Sequence, residues 1–132
     1  MTNHDAVTYF EVLDSDECLN LLMSAELGRI AWQGEFGLSV VPVNFRYVDG
    51  QIVFHTKPGT TLSRLTDPAE VAFLVDDIDA EEALGWSVLV RGLTGPAPEG
   101  SQPASWLVDG RTAGIAIDPR TIDGRVVSGV RR

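Results

Sequence analysis

The sequence predicts a mainly β domain spanning residues 1–132: a six-stranded antiparallel barrel with short α-helices on its side. Three observations lead there. Runs of β-branched and aromatic residues follow one another along the chain with short turn signals between them, so neighbouring strands pair antiparallel. Helical periods do not alternate with these runs, which excludes a doubly wound parallel sheet. Six or seven strands in a chain of 132 residues favour a sheet that closes on itself.

Composition supports one compact unit. Hydrophobic residues make up 44% and charged residues 22%, with three Trp, five Phe and two Tyr, enough apolar material for a core and too much for a disordered chain. At this length there is little room for a second domain.

Residues 1–12 read as a leader that pairs or frays. A helix follows from about Asp14 to Glu26: Asp14 and Glu17 have capping-box spacing, and Leu19, Leu22, Met23 and Glu26 keep the helical period. Gly28 is placed to stop it. Arg29-Ile30-Ala31-Trp32 reads as a short strand ending at Gly34, and Phe36 to Val48 as a longer one. Asp49-Gly50 is a two-residue hairpin signal leading into Gln51–Thr56. Pro58-Gly59 breaks that strand, and a short helix is expected over Thr60–Thr66, ended by Asp67-Pro68. Glu70–Val75 and Trp86–Leu93 read as strands flanking an acidic stretch of Asp76, Asp77, Asp79, Glu81 and Glu82. Residues 94–105 are rich in Gly and Pro, with a short helix expected around Ser101–Val108. Ala113–Ile117 and Arg125–Val130 read as closing strands.

Charge and cysteine usage narrow the function. A net charge of −9 argues against nucleic acid and against anionic membranes, because both attract basic surfaces. Cys18 is the sole cysteine, so the chain has no intrachain disulfide and no Cys-based zinc cluster. The N-terminus lacks a basic region followed by an apolar one, and no apolar run approaches the roughly 18 residues that span a bilayer. The expectation is a soluble cytoplasmic protein acting on a small molecule.

Few patterns carry chemistry. His4 and His55 are far apart in sequence, which disfavours a two-histidine metal site. G-x-S-x-G, G-x-G-x-x-G and the Walker P-loop are missing. The acidic stretch 76–82 lacks the central glycine and ligand spacing of a calcium loop and reads as a solvated loop. The segment 54-FHTKPGTTLSRL-65 is different: Thr56, Lys57, Thr60, Thr61, Ser63 and Arg64 crowd a turn that Gly59 leaves open. Hydroxyls and cations at such a turn suit a phosphate, and equally suit a plain helix cap by Thr60 with cations on the surface. Arg29 and Arg91 are either ligand contacts or partners for some of the acids.

The succession 27-LGRIAW-32, 42-PVNFRYVDGQIVFHT-56, 58-PGTTLSRL-65 and 85-GWSVLVRG-92 resembles the pyridoxamine 5'-phosphate oxidase-like, FMN-binding split-barrel superfamily, within it the small nitroimidazole-reductase-like branch. The match covers about residues 11–93, with a weaker echo from Trp106 to 124-GRVV-127. The resemblance implies a six-stranded antiparallel split barrel and an FMN-dependent oxidoreductase acting on a small organic acceptor. It implies that Arg29, Ile30 and Ala31 lie along the flavin, and that Pro42, Val43, Asn44 and Phe45 follow the isoalloxazine edge, with Asn44 bonding the pyrimidine portion. His55 and Thr56 would sit at the ribityl-phosphate arm, with Thr60, Thr61 and Arg64 on the phosphate and Trp86 and Ser87 completing the site. It further implies a homodimer with flavins between the subunits, to which Trp106 would come from the partner.

One departure qualifies these expectations. Thr61 stands where many relatives carry a phosphate-binding lysine, and Lys57, four residues earlier, is placed to reach back across the turn instead. A charged hydrogen bond of that kind is worth roughly 1.5–3 kcal/mol. Deazaflavin F420, a non-catalytic flavin or tetrapyrrole carrier, and a cofactor-free dimeric barrel are the alternatives.

Overall fold

The computed structural model describes residues 8–104 and 110–129. Its strands are β1 (Thr8–Leu13), β2 (Leu27–Gly34), β3 (Gly37–Asn44), β4 (Arg46–Val48), β5 (Gln51–Thr56), β6 (Glu70–Asp79), β7 (Leu84–Pro96) and β8 (Ala113–Gly129). One helix, α1 (Ser15–Ser24), and one 3-10 turn (Leu62–Thr66) complete the described elements. The strands form one antiparallel sheet in the order β3-β2-β6-β7-β8-β5-β4, with β1 added to β8.

The long strand β8 decides the shape. Along one edge it pairs with β7 from Leu84↔Ser128 to Pro96↔Ile115. Its other edge is shared: β5 takes Ala113–Ile117 and β1 takes Gly124–Gly129. The sheet divides between them, so it curls into a half-barrel. Pro119, which has no N–H for a ladder, falls in the unshared stretch of β8 and opposite the register shift between Arg91 and Gly92. Gly92 is required there, because a Cβ would overlap the Asp118 carbonyl.

The expected fold class holds, with a corrected strand count: eight strands among the described residues, not six. The leader supplies β1. Phe45, buried in the core, interrupts the expected long strand and separates β3 from β4. The two expected closing strands are one continuous β8, because β7 pairs with it throughout.

The core lies inside the curl, where period-2 alternation sends Ile30, Phe73, Val75, Val88, Val90, Phe54, Ile115 and Ile117 inward. Each fully buried side chain of this kind contributes about 1.5–3 kcal/mol. Phe45 and Phe73 meet edge to face at 4.9 Å and 75°. Helix α1 covers one end of the curl with Cys18 and Leu22, one turn apart on the same face. Its capping box is formed as the spacing predicts: Glu17 N–H donates to Asp14 Oδ1 at 2.9 Å, and Asp14 N–H to Glu17 Oε1 at 3.2 Å. The helix ends at Ala25, ahead of Gly28, which lies within β2 instead; a Cβ there would overlap the Phe73 ring.

Asp49 (φ 50°) and Gly50 (φ 80°) make the left-handed two-residue turn that their sequence signals. The acidic stretch is only partly a loop, since β6 runs to Asp79, whose Oδ1 accepts from Glu81 and Glu82 N–H at 3.1 Å each. After the 3-10 turn, buried Thr94 ties the chain back to the sheet: its Oγ1 accepts from Ala69 N–H at 3.0 Å and donates to the Asp67 carbonyl at 3.1 Å.

Candidate functional site

Strand geometry sorts the expected site residues into three groups. Ile30, Val43 and Phe45 point inward and belong to the core, so any ligand contact of theirs runs through backbone. Trp86 likewise packs against the core from the inner face of β7. Arg29, Ala31, Pro42, Asn44 and Ser87 lie on the outer face of the sheet, where the register aligns Arg29 with Pro42 and Ala31 with Val40. His55, Thr56, Lys57, Thr60, Thr61 and Arg64 lie at the end of β5 and in the turn that follows.

The turn has its own hydrogen bonds. Thr60 Oγ1 donates to the Lys57 carbonyl at 2.9 Å and accepts from Ser63 N–H at 3.2 Å, while lying 3.4 Å from Thr56 Oγ1. Thr60 thus ties the turn together one residue ahead of Thr61, which is the N-cap of the 3-10 turn and makes no side-chain cap bond. Arg64 pairs with Glu35, at the β2–β3 turn, at 2.9 Å; both side chains are largely exposed, so the pair contributes little stability. Lys57 and Thr61 are exposed, and Gly59, at φ +83°, leaves the space where a Cβ would sit open. These donors, two cations and several hydroxyls around an open glycine, suit the phosphate end of a nucleotide.

The outer face carries a row that sequence reasoning missed in part. Arg29 pairs with Asp76 at 2.8 Å, and Asp76 stands opposite Ser87, itself opposite Arg125. Arg91 pairs with Asp123 at 3.4 Å. The partners were legible only as members of an acidic stretch, because register alone places Asp76 beside β2. Between these polar groups the face is apolar, with Leu38 and Val40 exposed on β3 and Ile78 on β6. A trough of ≈ 560 Å³ crosses it between Val40, Ala31, Ala72 and Arg91.

Ser87 lies away from the turn within one protomer. His55 is registered with Gly114 and Ser87 with Arg125, eleven positions apart along β8. At about 3.3 Å per residue this is roughly 35 Å of strand. Trp106, expected from the partner, lies outside the described residues, as does His4.

His55 is the perturbed titratable group near the turn among the described residues. Burial pushes its imidazole below the ordinary histidine range, and Arg46 pushes the same way against a backbone hydrogen bond with Ser101. Its Nδ1 is buried without a hydrogen-bond partner.

Comparison with known proteins matches residues 14–126 to the family described as pyridoxamine 5'-phosphate oxidase. The uncharacterized protein Rv0080 of Mycobacterium tuberculosis is 30% identical, over 90% of this chain and 87% of its own. Among solved structures, an FAD-binding protein from Mycobacterium smegmatis superposes with a TM-score of 0.69 at 30% identity, covering 93% of this chain and 100% of that one. A second FAD-binding protein, from Mesorhizobium loti, has the same fold at 20% identity, with a TM-score of 0.74 over 92% and 99% of the two chains.

Proposed function

The chain belongs to the pyridoxamine 5'-phosphate oxidase family, and from that premise we propose that it is a flavin-dependent oxidoreductase, FMN its cofactor, acting on a small organic acceptor as a homodimer. The observation that carries the reading is the open, donor-rich turn at Lys57–Thr61, on a chain 30% identical to an FAD-binding protein of the same fold.

A bound flavin supplies hydride and electron transfer itself, so the protein needs no acid–base pair of its own. Lys57 and the Thr61 hydroxyl would hold the phosphate, with Arg64, paired to Glu35 of the β2–β3 turn, beside them. Asn44, whose Nδ2 donates to the Glu26 carbonyl at a long 3.4 Å, orients the ring edge. Ser87 acts from the partner subunit in this reading, because its own protomer holds it at the far end of β8. The apolar outer face, with its aligned polar row, is the surface proposed to meet the second copy.

The test is the visible spectrum and fluorescence of the purified protein, followed by titration with FMN, FAD and F420. An absorption band near 450 nm (about the flavin value), or quenching of FMN fluorescence on titration, supports the reading. Saturable binding of F420 alone would move the cofactor assignment, as the threonine at 61 allows. A colourless protein that takes up none of the three would overturn it.

A further inference from the structure

His55 occupies an unusual position for a titratable group. Only 9% of it is exposed, and it lies on the outer side of β5, away from the barrel core. The segment 97–104 comes to it at Ala97 and Ser101. Ala97 N–H donates to the Gly114 carbonyl at 3.0 Å, and the Ser101 backbone acts on the imidazole. Gly114 makes the seat: a Cβ there would crowd both the Ala97 methyl and His55 Nε2. His55 Nδ1 is buried there without a hydrogen-bond partner. Ala104 forms one wall of a cleft of ≈ 430 Å³ between α1 and β4, shared with Met23, Glu26, Phe45, Arg46 and Tyr47.

We propose that residues 97–104 form an acid-released strap, latched by neutral His55, whose release opens the cleft between α1 and β4. The charged imidazole carries a hydrogen on Nδ1 with no acceptor and puts a cation beside the strap. The ionisable groups on the elements packed around the ring are Arg46 on β4, Glu99 on the strap and Arg111 just ahead of β8. Arg46 acts on the ring and opposes a second positive charge, so it works with burial to favour the neutral form. The sign follows. The strapped imidazole titrates below its ordinary value of about 6.5, so strap closure is fully stabilised above that pH and lost as pH falls through the lower, strapped value.

Hydrogen exchange of the intact protein, followed by mass spectrometry at pH 7.5 and 5.0 and corrected for intrinsic exchange, reads this directly. The expected result is loss of protection over 97–104 at low pH, about tenfold for each unit between the strapped and free imidazole, while the β6–β7 hairpin stays protected. His55→Gln, which cannot charge, is expected to make protection over 97–104 insensitive to pH. Unchanged protection in the wild type, or an equal loss in His55→Gln, overturns the proposal. Should that variant not fold, nuclear magnetic resonance titration of His55 in the wild type decides: a midpoint at or above about 6.5 overturns it, and a lower midpoint that coincides with the change in exchange supports it.

Discussion

Thr61 and Gly28 show how one position changes meaning with its surroundings. Thr61 is an exposed hydroxyl at the edge of the turn, beside an open glycine, where a longer cation would meet no obstruction from Gly59. Thr61→Lys is expected to tighten FMN binding by about ten- to a hundred-fold, the worth of a charged hydrogen bond, measured by fluorescence titration; unchanged affinity would place the phosphate elsewhere. Gly28 reads in sequence as a helix stop, yet it serves the close approach of β2 to the Phe73 ring. Gly28→Ala should cost about 1–3 kcal/mol in urea denaturation, the usual penalty of overpacking. Cys18 is buried, and burial together with Asp14, Asp123 and Glu17 raises its thiol above the usual range. It should therefore resist an aromatic disulfide reagent at pH 8 in the native protein and react once the protein is unfolded.

At the scale of elements, local signals were readable where they were local. The capping box of α1, the Asp49-Gly50 turn and the span of β5 each follow from residues within a few positions of one another. Asp14→Ala should lower stability by about 1 kcal/mol, the ordinary value of a helix N-cap, seen as a shifted denaturation midpoint with an unchanged slope. Thr94 belongs to no local motif. Its hydroxyl satisfies Asp67 and Ala69, some 25 residues back, and binds the end of the 3-10 turn to β7. Thr94→Val leaves a buried N–H and a carbonyl unpaired at similar volume, so a loss of about 1–3 kcal/mol is expected by the same measurement.

At the scale of the whole molecule, the division of β8 between β5 and β1 governs the shape. It closes the core on one side and leaves an outer face on which Arg29, Asp76, Ser87 and Arg125 align. It also sets Ser87 and His55 eleven positions apart along β8, the separation on which the proposal of a second copy at the site rests. The protein is accordingly expected to sediment as a dimer. Leu89→Glu, which introduces a charge between Arg91 and Ser87 on that face, is expected to shift it toward monomer and to weaken flavin binding together with dimerisation. A monomeric wild type that binds flavin at full affinity would contradict this arrangement.

The sequence by itself determined the fold class, the helix and its cap, the hairpin turn, and the donor-rich segment after β5. These rest on period-2 alternation, turn chemistry and capping, all of which act over a few residues. Only the tertiary structure decided that the closing strands are one, that Phe45 breaks the third run, and that Ile30 and Val43 face the core while Ser87 faces out. It alone paired Arg29 with Asp76, 47 residues away, and buried His55. Register between strands distant in the chain is set by how both faces of the sheet are covered. No short window of sequence contains that information, because burial of one strand depends on residues contributed by all the others.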